Sequence, residues 1–270
     1  MLIWPARFWD PITKDWLGRG AVASDTTIAA LNNFFTSVRA ESGLLTALKR
    51  LNLMCGNNAA SMRKPQIVES GGADDTETGA GALTYTETGA GGGIIADGTN
   101  YLNTGFQPGS DLTSSLDSHF GIYVTVAPPS GANRTYFGAR DAGGSKFAYL
   151  SWETTPRARC QLGGSDSALL YTGATNPFTG HWLAVCRGTN DEALYEGSTS
   201  RATDTAISTD ARPALDMYTH CYNDGGSPAA RPTSLAFGAY HIGTGLTTSQ
   251  ISALVTAMET FQDALSRGVA

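Results

Sequence analysis

From Ile94 to His241 the chain alternates between short apolar, β-branched or aromatic runs and clusters of turn-forming residues. The runs are Tyr101–Thr104, Phe120–Val126, Thr135–Ala139, Phe147–Trp152, Ala158–Leu162, Ala168–Thr172, Trp182–Arg187, Ala193–Tyr195, Leu215–Tyr222 and Leu235–His241. Pro128-Pro129-Ser130-Gly131, Asp141-Ala142-Gly143-Gly144, Gly163-Gly164-Ser165-Asp166 and Asn223-Asp224-Gly225-Gly226 separate several of them. Many short strands at this spacing indicate an antiparallel sandwich or barrel rather than βαβ units. Ile122, Val124 and Val126 alternate with Tyr123 and Thr125, the pattern of a strand with one buried face. Trp182, inside His181-Trp182-Leu183-Ala184-Val185, reads as core.

The best-encoded local element follows. Thr247 is an N-cap and Gln250 completes a capping box. Leu246 can staple to Ile251, and Ile251, Leu254, Val255, Met258, Phe261 and Leu265 form one apolar stripe. Arg267 falls in the last turn and Gly268 fits the stop position. Such a stripe needs an apolar surface to cover.

The N-terminal part differs. Asp25 is the expected N-cap of a helix whose buried face is Ile28, Leu31, Phe34, Phe35 and Val38. After Gly43 a second short helix carries Leu44, Leu45 and Leu48, with Lys49 and Arg50 in its last turn. Leu51 to Cys55 reads as a strand. Trp4, Phe8, Trp9 and Trp16 are dense for a tail and are candidates for assembly contacts, with packing on the chain's own body as the plainer reading. Thr76-Glu77-Thr78-Gly79-Ala80-Gly81 recurs as Thr86-Glu87-Thr88-Gly89-Ala90-Gly91, two copies only, too few for a repeat array, and the stretch reads as a linker or as paired turns around Leu83 to Tyr85. The expected division is an N-terminal arm and helical assembly region over 1–68, a glycine-rich linker over 69–93, and a β-sandwich with its C-terminal helix over 94–270.

Composition narrows the function. Charged residues are 16% of 270, and net charge is −6 with the 18 Lys and Arg scattered. No basic stripe marks a nucleic-acid binder. No apolar run approaches the roughly 18–20 residues of a membrane span, and the start lacks the form of a signal peptide. Cys55, Cys160, Cys186 and Cys221 match no zinc spacing and read as buried free thiols of a protein folded in the cytoplasm.

Catalytic signatures are scarce. Asp191, Glu192 and Glu196 have the wrong spacing for a glycosidase pair. No G-x-S-x-G or phosphate loop occurs, and His119, His181, His220 and His241 read as strand-edge or turn residues. Asp97, Asn100, Asp141, Asn223 and Asp224 carry oxygens of the kind Ca²⁺ takes, but Asx residues in turns more often bond their own backbone, and no cofactor is expected. Carbohydrate recognition needs aromatic platforms beside planar polar groups. Its candidates are Tyr149 and Trp152, with Asn133 and Arg134 near, and Tyr222 with Asn223 and Asp224. Tyr149 and Trp152, three apart, face opposite sides of a straight strand.

Ala96-Asp97-Gly98-Thr99-Asn100-Tyr101-Leu102-Asn103-Thr104-Gly105-Phe106, Thr135–Arg140, Gly180-His181-Trp182 and the tail from Phe237 to Arg267 resemble concanavalin A-like (LamG-type) jelly-roll modules of bacteriophage virion structural proteins. The segment Leu48–Gly56 is similar to what precedes such modules, so the resemblance covers roughly 26–270. It implies a non-enzymatic virion protein, head-decoration or tail-associated, that forms homo-oligomers and contacts other virion proteins. A glycan-binding module for host-surface carbohydrate is the alternative, and a glycan-cleaving enzyme a weaker one. Leu194-Tyr195-Glu196-Gly197 departs from the "Y-x-N-G" of such modules, and the carboxylate motif of the fold's glucanases is missing.

Overall fold

The computed structural model describes residues 9–114, 116–127, 134–153, 157–163, 168–172, 178–205, 211–229 and 233–269. The N-terminal part holds α1 (Pro11–Gly18), α2 (Asp25–Ala40), α3 (Leu44–Ala47), β1 (Leu48–Asn52) and α4 (Ala59–Met62). Next come β2 (Thr76–Thr78), β3 (Thr84–Thr86), β4 (Gly93–Asp97), β5 (Tyr101–Asn103) and the single turn α5 (Pro108–Asp111). The middle is β6 (Asp117–Val126), β7 (Arg134–Arg140), β8 (Phe147–Glu153), β9 (Arg157–Gly163) and β10 (Ala168–Tyr171). β11 (Gly180–Arg187), β12 (Glu192–Glu196), β13 (Thr199–Asp204), β14 (Tyr218–Thr219), β15 (Tyr222–Asp224) and β16 (Ser227–Ala229) lead to β17 (Thr233–Gly243) and α6 (Thr248–Ala264).

The strands form two sheets. Sheet A runs β13-β12-β11-β6-β17-β4-β3, with β1 also paired to β17. Sheet B runs β10-β9-β8-β7-β14-β5-β2, with β15 joined in parallel to β7 and β16 to β15. This is the expected antiparallel β-sandwich with N-terminal helices and a closing helix.

Strand parity sorts the side chains. From sheet A, Phe120, Ile122, Val124, Trp182, Ala184, Leu194, Phe237, Tyr240 and Ile242 meet Phe137, Ala139, Ala148, Leu150, Cys160 and Leu162 of sheet B in the sandwich core. The other face of sheet A, with Tyr123, Leu183, Val185, Ala193, Tyr195 and Ala239, packs against α2 and α6. Leu31, Phe34, Phe35 and Val38 of α2 and Ile251, Leu254, Met258 and Phe261 of α6 fill this second core. Burying each such side chain contributes roughly 1.5–3 kcal/mol. The alternation in β6 therefore does not mark one wet face, because Tyr123 is also buried and its hydroxyl donates to Glu259 Oε2 at 2.7 Å.

Several local expectations change. The capping box at Thr247 and Gln250 is present. The helix stops two residues earlier than expected, with Ser266 in the left-handed region (φ 58) rather than Gly268 at the stop. Ser24, not Asp25, caps α2, accepting from Thr27 N. The second short helix ends at Ala47, and Leu48 turns into β1 to pair with β17. The 69–93 stretch is not a free linker: β2 extends sheet B beside β5, and β3 extends sheet A beside β4. Trp16 is fully buried, its Nε1 donating to the Lys64 carbonyl at 2.8 Å, so it packs on its own chain. Trp9 is half-buried; Trp4 and Phe8 lie outside the described residues.

Arg50 and Arg267, read as end-of-helix charges, are fully buried. Arg50 donates to Tyr240 Oη (3.0 Å), to both oxygens of Glu69, to the Ala73 carbonyl and to Asp75 Oδ1 (2.8 Å). Asn52 donates to the other Asp75 oxygen. Burial alone would lower the Arg50 pKa; the negative charges around it outweigh that and raise it. Arg267 reaches back from α6 to the carbonyls of Met54, Leu53 and Gly238. Gly238 lies at a bulge between Phe237 and Ala239, which frees its carbonyl from the ladder for Arg267 and Gln262.

His119, His181 and His241 are strand residues but not edge ones, whereas His220 does lie in a turn, the bend between β14 and β15. All four are buried. His119 of β6, His181 of β11 and His241 of β17 lie on the helix-facing side of sheet A. The His181 and His241 Nε2 atoms are 2.7 Å apart, and the His119 and His241 rings are 5.0 Å apart. Gly121 makes the space, since a Cβ there would run into the His241 ring. His220 bonds the Ile94 carbonyl from the sandwich core.

Burial pushes His119 and His220 down to about 4 and His181 to about 3, from 6.5. His241 lies well below its ordinary value, from burial and its two histidine neighbours. An unfolded chain therefore takes up protons first as pH falls below 6.5, and each imidazole removes about 1.4 kcal/mol of stability per pH unit down to its folded pKa. Glu192, also buried, acts oppositely: burial lifts it from 4.5 to about 8, which favours the fold as pH falls through that window. Asp75 and Glu259, raised by burial, act the same way. Four imidazoles exceed three carboxyls, so the urea midpoint should fall between pH 6.5 and 4.5. Glu192→Gln should add a few kcal/mol at pH 8 and steepen that fall. A midpoint that holds or rises on acidification would contradict these burial assignments.

Candidate functional site

The helices cover the outer side of sheet A, whereas the outer side of sheet B carries the aromatic and planar polar groups. In β8, Ala148 and Leu150 enter the sandwich core, so Phe147 and Tyr149 point outward. In β9, Ala158, Cys160 and Leu162 point in, leaving Arg159 and Gln161 outward. Arg140 follows the inward Ala139 of β7, and β15 adds Tyr222 and Asp224 beside it.

These groups interlock. Tyr149 pairs in register with Gln161 and donates its hydroxyl to Gln161 Oε1 at 2.9 Å. The same oxygen accepts from Arg159 Nη2 at 2.9 Å, and the Arg159 guanidinium lies 5.6 Å from the Tyr149 ring centre. The Tyr222 ring sits 6.2 Å from Tyr149, tilted by 36°. Arg140 lies 5.6 Å from the Tyr222 ring and grips Asp224 with two bonds, Nε–Oδ1 at 2.9 Å and Nη2–Oδ2 at 2.6 Å. The Asp224 bond is the main reason the Arg140 pKa is raised. Tyr149 keeps 8% of its surface, and Tyr222, Arg140, Arg159 and Asp224 are half-buried. The result is two tilted aromatic rings edged by two guanidiniums and a carboxylate and braced from beneath by the buried Gln161 amide, all held in place before any ligand arrives.

Gly138 permits this packing. It takes φ 151, and a Cβ there would strike both Tyr149 Cβ and the Ala148 carbonyl. The base of Tyr149 can sit this close to β7 only because that side chain is absent.

Of the candidates taken from the sequence, Tyr149, Tyr222 and Asp224 come together. Asn223 does not join them: it is 2% exposed, its amide donates to the Asp216 carbonyl and its oxygen accepts from Gly226 N, so it builds the turn. Asn133 lies outside the described residues. Arg134 and Trp152 face each other in the backbone register of β7 and β8; their side chains also lie outside the described residues. Arg140, Arg159 and Gln161 were missed. The period-two polar pattern Arg157-x-Arg159-x-Gln161 was the available signal, a polar row alternating with Ala158, Cys160 and Leu162.

The acidic cluster disperses. Asp191 takes Arg187, Glu196 takes Arg201, and Glu192 points into the buried sandwich, where burial outweighs the nearby Arg212. The turn carboxylates bond their own backbone: Asp97 accepts from Thr99 N and Asn100 N, and Asp141 from Ser145 N and Lys146 N. The slight burial of each would raise its pKa; these N–H bonds lower it. Among the described residues no three His, Cys, Asp or Glu side chains are grouped to hold a metal ion.

No protein-family model and no curated protein matches the chain. Solved structures do. A mutant of Trypanosoma rangeli sialidase displaying trans-sialidase activity superimposes with TM-score 0.55 at 12% identity, over 90% of this chain and 39% of that one. The binding domain of botulinum neurotoxin serotype D gives 0.53 at 10% identity, over 80% and 52%. Domain 4 of AbnA, a GH43 extracellular arabinanase from Geobacillus stearothermophilus in complex with arabinotriose, gives 0.48 at 17% identity, over 68% and 89%. The chain thus spans about two fifths of the sialidase and about half of the neurotoxin domain. At these identities the likeness is one of fold, a lectin-type, concanavalin A-like β-sandwich.

The role of Gly138 gives a direct check. Gly138→Ala should cost about 1–3 kcal/mol in urea unfolding, with the Tyr149 ring displaced. A variant as stable as the parent, with unchanged Tyr149 ring signals by NMR, would show that the close approach is not required.

Proposed function

We propose that the chain is a non-enzymatic glycan-binding module whose ligand lies on the outer face of sheet B. The observation that carries this reading is the Tyr149–Tyr222 pair edged by Arg140, Arg159 and Asp224. Sugar rings have an apolar C–H face and a polar hydroxyl rim. Tyrosine rings cover the first at low entropic cost, and preset planar donors and acceptors take the second. The bidentate Arg140–Asp224 fork presents fixed N–H and carboxylate edges, so little ordering cost remains at binding. A lectin-type fold shared with a sialidase is consistent with this reading, as fold likeness only.

The virion setting is a second reading and rests on the sequence resemblance of Ala96–Phe106, Thr135–Arg140 and Gly180–Trp182. In it the sandwich is displayed on a phage head or tail and the ligand is a host-surface carbohydrate. The buried Trp16 takes no part in anchoring such a particle.

A glycan array probed with the intact chain, with Tyr149→Ala and with Tyr222→Ala tests the proposal. The chain should retain a defined set of glycans, and each variant should lose at least about tenfold in affinity, roughly 1.4 kcal/mol, with an unchanged fold by circular dichroism. Capture of no glycan, or capture that both variants leave intact, would overturn it.

A further inference from the structure

The first copy of the duplicated Thr-Glu-Thr-Gly-Ala-Gly segment forms β2, at the edge of sheet B opposite to β8, β9 and β10, and the glutamates of the two copies bracket Tyr85 in different states. Glu77 is saturated. Its Oε1 accepts from Leu83 N and Asn100 Nδ2, and its Oε2 from Tyr85 Oη (2.7 Å) and Arg63 Nη1 (3.3 Å). Glu87 uses only Oε1, which accepts from Thr27 Oγ1 at 2.6 Å and Gly56 N at 2.8 Å. Among the described residues no hydrogen bond reaches its Oε2.

Beside Glu87 a half-open cavity of about 310 Å³ lies between β3 and the 56–62 segment, and Asn57, Asn58, Met62 and Tyr85 also line it. Both asparagines are exposed. Asn58 spends its oxygen on Ser61 N, which leaves its amide hydrogens; the Asn57 side chain makes no bond among the described residues. The Tyr85 ring is half-buried and fixed by its hydroxyl bond to Glu77, and Met62 is buried at 1% exposure. The lining thus offers one aromatic face, an apolar floor, two amides and a carboxylate oxygen. The volume is at the lower end of ligand pockets, room for one ring rather than a chain. Glu87 disfavours an anion: of the two arginines around it, Arg63 is engaged by Glu77 and Arg267 is buried on backbone carbonyls.

We propose that this cavity is a second binding site, for a single neutral sugar ring, with vicinal hydroxyls on Glu87 Oε2 and the Asn57 and Asn58 amides and the C–H face on Tyr85. It shares no residue with the sheet B face, so either site can fail without the other.

The test is a titration of the ¹⁵N-labelled full chain with D-glucose, D-galactose and D-mannose to roughly 50 mM, with sodium glucuronate as the anionic comparison. At least one neutral sugar should shift the Asn57 and Asn58 side-chain amide signals, with a Kd on the order of 1–10 mM. Asn57→Ala, at an exposed side chain with no bonded partner among the described residues, should weaken binding at least about threefold. Tyr149→Ala should leave it unchanged. Glucuronate should bind more weakly than the best neutral sugar, and Glu87→Gln should narrow that gap. No shift with any neutral sugar, shifts that Asn57→Ala leaves intact, or glucuronate binding as well as the best neutral sugar would overturn the proposal.

Discussion

The central strands of sheet A, β6, β11 and β17, pack the sandwich core with one face and the helices with the other, so the polar groups buried on them have to be satisfied inside the protein or kept uncharged. Both devices are used. His119, His181 and His241 lie under the helices as neutral imidazoles in contact with one another. Arg50 is charged, and Glu69, Asp75, Tyr240 and a backbone carbonyl surround it. That cluster joins β1 and the 69–75 segment to β17, while Arg267 ties the end of α6 to the carbonyls that follow β1. The N-terminal segment, the helices and the sandwich therefore share one packed layer, and residues 1–68 are more than an appended arm.

With sheet A enclosed, a ligand that needs a sheet face has sheet B. There the same low-charge composition places its arginines differently. Arg140 and Arg159 lie beside tyrosine rings and bond Asp224 and Gln161, and remain half-exposed. Arg50 and Arg267 tie segments of the chain together inside the molecule, whereas Arg140 and Arg159 edge an aromatic platform on its outside. That division gives the glycan-binding proposal its physical basis.

The parts legible in the sequence were those encoded locally. Turn clusters and strand alternation gave the sandwich, and Thr247 with Gln250 gave the start of α6. What was hidden depended on neighbours distant in the chain. Arg50 follows Leu48 in a helix-like pattern, and only its pairing with β17 shows that it is a buried strand residue. Three histidines spaced 60 or so residues apart meet because β11, β6 and β17 are adjacent. Glycine-rich 69–93 looked like a linker because three-residue edge strands carry almost no periodicity. Of the site, the aromatic members were found by type and Arg140 and Arg159 were not, since an arginine's role depends on which ring lies across from it.

The most direct test of the central claim is hydrogen–deuterium exchange of the intact chain with and without oligosaccharides of bacterial and animal cell surfaces. Binding on the open face should protect amides of β7, β8, β9 and β15 and leave β1, β6, β17 and α6 unchanged. Protection confined to the helices and sheet A, or none with any oligosaccharide, would contradict the account.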